Sequence, residues 1–361
     1  MSRTGIASAL VCAAWVMFAG AATPARAQRL ARENRRDVGL LKRVNGPVCI
    51  KPGGKDPCYP ATRGTTLRRD DTLIVETKGE ARVRCYCLPP GEEPDTKPKY
   101  EGRPCPSDCP RTLGLSRVMP LNTAGEAAGI TTAQTAVFAS TPALSWAEVE
   151  SKSSYRVSVS GPSFNHIADG VTSNFYSIPA NRRLKSNATY AVTVADSRNP
   201  ERAYPVLNFK VLSEGEAAAV RAIEEEIREL GLAPEQTRLL TARLYASWGL
   251  NLDALRLLES LFENEAALSF DLGDVFLLMG DLYLETGKNS EAQKAYTKAL
   301  ITADLANDKS LKAYALEGVG LSYSAAGKTG KTVNALQSAR RLFEELGNVQ
   351  KAEELNAYLS R

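Results

Sequence analysis

The chain carries one histidine, His166, in 361 residues. No Ser-x-x-Lys or Gly-x-Ser-x-Gly stretch in a suitable context accompanies it, which argues against a nucleophile-histidine triad. His166 is expected in a surface loop between Pro162 and Gly170. A surplus of one charge sign is also missing. Lys and Arg number 45 and Asp and Glu 41, a balance that argues against a dedicated nucleic-acid binder. Beyond residue 22 no apolar run is long enough to span a bilayer. The adjacent acids Asp70-Asp71 and Glu92-Glu93 are expected in turns, where charge is solvated. A glycosidase needs carboxylates held across a cleft, and neighbours on a turn cannot provide that. No cofactor is implied.

What is present begins with an export signal. Arg3 precedes an apolar stretch over residues 6–22, and Ala25-Arg26-Ala27 forms a small-x-small cleavage site. Residues 1–27 are therefore expected to be removed, leaving a protein that is periplasmic or secreted and not stably inserted in a membrane. A basic run at 29–36 reads as a solvated tail. All later cysteines, Cys49, Cys58, Cys85, Cys87, Cys105 and Cys109, fall in one window. In an exported protein such a set predicts disulfides. Cys49 is expected with Cys58, and the Cys85/Cys87 pair with Cys105/Cys109. The rival is a zinc site at Cys85-x-Cys87 and Cys105-x3-Cys109, which departs from the usual knuckle spacing.

Residues 38–111 predict a small β domain, with short apolar stretches alternating with Gly, Pro and Asp clusters. Val83, Cys85 and Cys87 share one strand face, with Arg82, Arg84 and Tyr86 on the other. Asn45-Gly46-Pro47-Val48 and the alternating stretch over residues 61–73 resemble the FecR-like β domain of bacterial exported proteins. That resemblance implies a sensing or scaffolding piece. Residues 112–140 turn small and polar and read as a linker, with one strand near Val118. Residues 141–212 predict a β-sandwich. Trp146 is its buried aromatic, and Tyr155, Val157, Val159, Tyr190, Val192 and Val194 alternate with polar residues. Leu184 followed by Tyr190 resembles the entry to a corner tyrosine in fibronectin type III-like domains, where about seven strands are expected. Five or six are legible here.

Residues 214–361 switch to helical periodicity, with Val220, Ile223, Ile227 and Leu230 on one face of the first segment. Three sets then repeat. Tyr245, Gly249, Ala254 and Leu258 match Tyr283, Gly287, Ala292 and Tyr296, and these match Tyr323, Gly327, Thr332 and Leu336. The glycines suit left-handed helix ends. Ala242, Gly280 and Gly320 read as notches over which Tyr245, Tyr283 and Tyr323 pack. The pattern resembles the tetratricopeptide repeat family. Its tyrosine spacings of 38 and 40 residues exceed the family's repeat of about 34. The resemblance implies an all-α solenoid whose first helices line a concave groove, with residues 349–359 as a capping helix. By the family's positions the groove would present Gln236, Leu239 and Arg243 from the first copy. Asp274, Leu277 and Asp281 would follow from the second, and Tyr314, Glu317 and Leu321 from the third.

Gly327-Lys328-Thr329-Gly330-Lys331-Thr332 looks like a phosphate loop but has the wrong spacing, because Ala325 stands where the first glycine is required. It is expected to be a turn between helices. The whole then reads as an exported, multidomain, non-enzymatic scaffold that binds a protein segment in the helical groove. The alternatives are an envelope accessory enzyme, or a sensor, acting on polysaccharide or peptidoglycan.

Overall fold

A computed structural model describes residues 37–54, 57–89, 92, 94, 96, 98–106, 133–138, 142–146, 154–262 and 271–360. The expected signal segment, the basic tail, Cys109 and the strand near Val118 lie outside these residues. The β-rich N-terminal region starts with β1 (Asp37–Asn45), β2 (Val48–Lys51), β3 (Tyr59–Pro60), β4 (Thr66–Arg68), β5 (Thr72–Val75), β6 (Glu80–Cys85) and β7 (Tyr100–Gly102). They form two antiparallel sheets, β4-β1-β6 and β3-β2-β5-β7. Val38, Leu41, Leu67, Leu73, Val75 and Val83 fill the space between them. Cys49–Cys58 and Cys85–Cys105 stand at disulfide distance, with sulfurs 2.04 and 2.02 Å apart. Cys87 is disulfide-bonded as well.

The region expected to be a linker contributes a strand. β8 (Ala133–Val137) runs parallel to the last strand of the second β unit. That unit continues with β9 (Ala143–Ser145), β10 (Tyr155–Gly161), β11 (Phe164–Val171), β12 (Phe175–Ser177), β13 (Thr189–Asp196) and β14 (Asn199–Val211). One sheet has the order β11-β10-β13-β14-β8 and the other pairs β12 with β9. Trp146, Val157, Val159, Tyr190, Val192, Val194 and Phe209 form the core between them. The Tyr190 hydroxyl accepts a hydrogen bond from the Lys185 backbone N–H at 2.7 Å, tying the chain before β13 to that strand. His166 is not in a loop. It lies in β11 opposite Val159, with Nε2 2.6 Å from the Tyr176 hydroxyl.

Eight α-helices follow among the described residues: α1 (Glu214–Glu229), α2 (Pro234–Ser247), α3 (Asn251–Ser260), α4 (Leu272–Glu285), α5 (Asn289–Ala306), α6 (Lys309–Ala325), α7 (Thr329–Glu345) and α8 (Val349–Leu359). None is long and apolar enough to cross a membrane. Gly249, Gly287 and Gly327 take positive φ of 73°, 74° and 69° and end α2, α4 and α6. At each turn the N–H one residue beyond the glycine returns to the tyrosine carbonyl: Leu250 to Tyr245, Lys288 to Tyr283, Lys328 to Tyr323. The phosphate-loop lookalike is the third of these turns, and Lys328 and Lys331 both lie over the Tyr323 ring.

The notches are present but their knobs come from elsewhere. A Cβ on Gly280 would sit 2.5 Å from the ring of Tyr296 on α5, and one on Gly318 would sit 2.3 Å from the same ring. Tyr296 is fully buried between them and donates its hydroxyl to Asp281 at 2.7 Å. Gly320 receives Leu336 instead. The expected knobs reach backward. The hydroxyls of Tyr245 and Tyr283 donate to Glu224 and Glu259, and Tyr323 accepts from Gln293. Each thus links a helix to the element before it.

The three regions share a core. Leu40 of β1, Tyr86 after β6 and Ala136 of β8 pack with Val220, Ile223 and Ile227 of α1 and with Leu240 and Leu244 of α2. β8 also completes α3. Leu250 offers that helix no side-chain cap, and the Thr135 hydroxyl accepts the Asn251 backbone N–H at 3.1 Å in its stead. At the start of α1, Ser213 and Glu216 form a reciprocal capping box, and Lys210 of β14 bridges to Glu216 at 3.0 Å.

Two outcomes follow. Gly318→Ala forces a methyl into the Tyr296 ring and should cost about 2–3 kcal/mol or more by chemical denaturation. A cost below about 0.5 kcal/mol would show that the ring is not clamped. At Glu216, burial pushes the carboxyl up, but the Ser213 N–H and Lys210 outweigh it and hold the group below its ordinary range near 4.5. Its stabilisation is present above that range and lost as pH falls through the lower folded value. Glu216→Gln should therefore cost about 1 kcal/mol near neutrality, and the cost should shrink steadily as pH falls below the ordinary carboxylate range. A difference that does not change with pH would contradict this.

Candidate functional site

The wall formed by α2, α4 and α6 carries the nine residues expected along a groove, and the β domain engages part of it. Arg243 Nη1 lies 3.0 Å from Asp37 Oδ2 at the start of β1, and Arg68 Nη2 at the end of β4 lies 2.8 Å from Asp274 Oδ2. The signs are crossed: the β domain offers an acid to α2 and a base to α4. Asp37 is 3% exposed and Arg243 14%. The attraction between them offsets part of the cost of taking both charges out of water. Burial works against the Arg243 charge, and the Asp37 and Asp274 carboxylates outweigh it, so its pKa is raised. Arg68 is raised too, by Asp274 first, with Asp37, Asp71 and Tyr314 also in range. A cavity of about 30 Å³ lies between these groups, lined by Asp37, Arg68, Arg243, Asp274, Leu277 and Asp281.

Most of the remaining positions are engaged within the helical region. Leu239 packs with Ala242, Val275 and Met279, and Leu277 and Leu321 lie in the core around Tyr296. Asp281 accepts the Tyr296 hydroxyl. At the far end Glu317, 2% exposed, pairs with Lys351 of α8 at 3.1 Å. Tyr314 stacks edge-on against Phe343 with centroids 5.0 Å apart, and Lys351 lies 6.0 Å from its centroid. Gln236 is half-buried, and its side chain makes no hydrogen bond among the described residues. Two of the nine, Arg243 and Asp274, are thus engaged by the β domain, and two, Tyr314 and Glu317, by the last helix. The chain thus engages part of this wall itself.

The residues that seat the β domain on the helices were not evident from pattern. Arg84 and Tyr86 alternate with core residues and so read as solvent-facing, yet they are 1% and 0% exposed. Arg84 Nε lies 3.1 Å from Glu226 of α1. Tyr86 packs in the shared core, and burial, followed by the Asp37 charge, pushes its hydroxyl pKa well up. Asp71 is not merely solvated. Its carboxylate accepts the Arg68 and Gly53 backbone N–H groups at 2.8 and 3.3 Å, which fixes the turn that delivers Arg68 to the wall. Burial raises its pKa.

No protein-family profile matches the chain, and no curated protein does. Among solved structures it is similar to that titled "Crystal structure of MamA", with 18% identity, 39% of this chain and 83% of that chain covered, and a TM-score of 0.28. A likeness of that size carries no weight for fold or function.

Asp37 and Arg243 lie 206 residues apart in sequence and should be energetically coupled. Asp37→Asn alone should cost about 3 kcal/mol, because Arg243 stays buried without its counter-charge. The double variant Asp37→Asn/Arg243→Gln should cost less than the sum of the single changes by about 1–3 kcal/mol. Strict additivity in urea unfolding would contradict the docking.

Proposed function

We propose that this chain is an exported, non-enzymatic scaffold of the tetratricopeptide-repeat kind, and that its own β domain occupies the wall that a partner segment would use. The crossed pairs Asp37–Arg243 and Arg68–Asp274 carry the reading. They supply a recognition rule: Arg243 takes a carboxylate and Asp274 takes a guanidinium. A partner segment would present an acid and a base at matching spacing on an extended backbone, and would compete with β1 and β4. Intramolecular competition keeps such a site closed until the partner's local concentration or affinity exceeds that of the tethered domain. The shared tyrosine-to-preceding-helix bonds support a repeat in which Tyr245, Tyr283 and Tyr323 are equivalent positions. The two β units act as the holder and the spacer.

The test uses the full chain and a library of extended peptides that bear one Asp and one Arg at varied spacing. Arg68→Gln weakens the intramolecular occupant without touching the helical wall. It should bind its best peptide at least tenfold more tightly than the wild type, and Arg243→Gln should abolish that gain. Equal affinity for wild type and Arg68→Gln, or no binding by either, would overturn the competition.

A further inference from the structure

Lys42 is the extra residue of a β-bulge. Leu41 lies opposite Val83 and Arg43 lies opposite Arg82, so Lys42 and Arg43 together face one residue of β6. All three are cations. Like charges set directly across an antiparallel pair are destabilising, and no core packing requires these, since Arg43 and Arg82 are exposed. The bulge opens on a cleft of about 420 Å³ between β1, β6 and the end of α1, which Arg63 also lines. Glu226 and Glu229 stand on its helical side.

The nearby acids do not account for these charges. Glu226 is already held by Lys42 at 3.2 Å and by Arg84 at 3.1 Å. Glu80 accepts from Asn45 at 3.2 Å. Among the described residues the side chains of Arg43, Arg63 and Arg82 have no hydrogen-bond or ion-pair partner, and neither does that of Glu229. Unpaired guanidiniums thus outnumber the unpaired carboxylate three to one around the cleft. The surplus matches a dianion better than a single carboxylate.

We propose that this cleft binds a phosphate group, gripped by the guanidinium forks of Arg43, Arg63 and Arg82. Planar guanidiniums offer paired N–H donors that match phosphate oxygens, and a phosphate monoester carries close to two negative charges at neutral pH. The cleft has room for chemistry attached to the phosphate. It lies in the seam between the β domain and α1, so an occupant would tie β1 and β6 to the helical region and stabilise the fold by mass action. The phosphate can belong to a soluble ligand or to a lipid headgroup. The site does not depend on the competition proposed for the helical wall.

The probe is inorganic pyrophosphate, titrated into the full chain at low salt and followed by calorimetry and thermal melting. The expected result is saturable binding with a rise in Tm. Arg43→Gln/Arg82→Gln should weaken it at least tenfold, and Arg183→Gln, at an exposed arginine of the sandwich, should leave it unchanged. Glu229→Gln should tighten it severalfold. Without ligand, Arg43→Gln/Arg82→Gln should melt no lower than the wild type, because the cross-strand repulsion is relieved. Should it melt lower, Glu229→Gln alone decides, and absence of tightening overturns the site. A second arm uses phosphatidylglycerol vesicles. Cosedimentation that is lost in Arg43→Gln/Arg82→Gln, without pyrophosphate binding, assigns the phosphate to a lipid headgroup. Pyrophosphate binding alone assigns it to a soluble ligand. No binding in either arm, or binding that Arg43→Gln/Arg82→Gln retains, overturns the proposal.

Discussion

The buried pair between Asp37 and Arg243 fixes how the β domain meets the helical region. Neither charge could remain in its position alone, because burying an ion without its partner costs several kcal/mol. Once they meet, Arg68 is delivered to Asp274, and Leu40 and Tyr86 are set against α1 and α2. Apolar contact supplies most of the driving force, at about 1.5–3 kcal/mol for each large side chain fully buried. The crossed charges supply register, since a shifted docking would leave like charges facing each other. The β domain, the sandwich strand β8 and the first helices therefore form one packed body.

The helical region is suited to receive such a domain because it is internally stiff. Tyr296 is clamped between Gly280 and Gly318, and its hydroxyl is satisfied by Asp281. The same bond fixes Asp281 at the edge of the small cavity facing Asp37 and Arg68. Core packing between helices and the electrostatics of the wall are thus connected through one side chain. At the other end, Lys351 of α8 neutralises Glu317 and lies over Tyr314, so the last helix engages the third repeat.

Much of this was legible in the sequence where the signal is local. The glycines at 249, 287 and 327 end helices because only a left-handed residue suits those turns, and the alternating valines of β10 and β13 mark strands. The small notches were legible too, but their partners were not. Tyr283 stands three residues beyond Gly280 on the same helix and points alongside it, so the filler had to come from another helix. The seating of the β domain on the helical wall was hidden for a related reason. Alternation separates two faces of a strand or helix, but it cannot tell a face in water from a face under another module, as Arg84 and Tyr86 show. β8 was missed because Ala133-Gln134-Thr135-Ala136-Val137 has linker composition. It becomes a strand only through its pairing with β14 and its contact with α3, both distant in sequence.

Arginine footprinting of the intact chain tests the central claim most directly. Brief treatment with phenylglyoxal, read by mass spectrometry, reports which guanidiniums meet solvent. A wall covered by the β domain predicts that Arg243 stays unmodified, like Arg84, while Arg43, Arg82 and Arg183 react. Labelling of Arg243 at the rate of Arg183 would show that the wall is open and that the β domain is not seated on it.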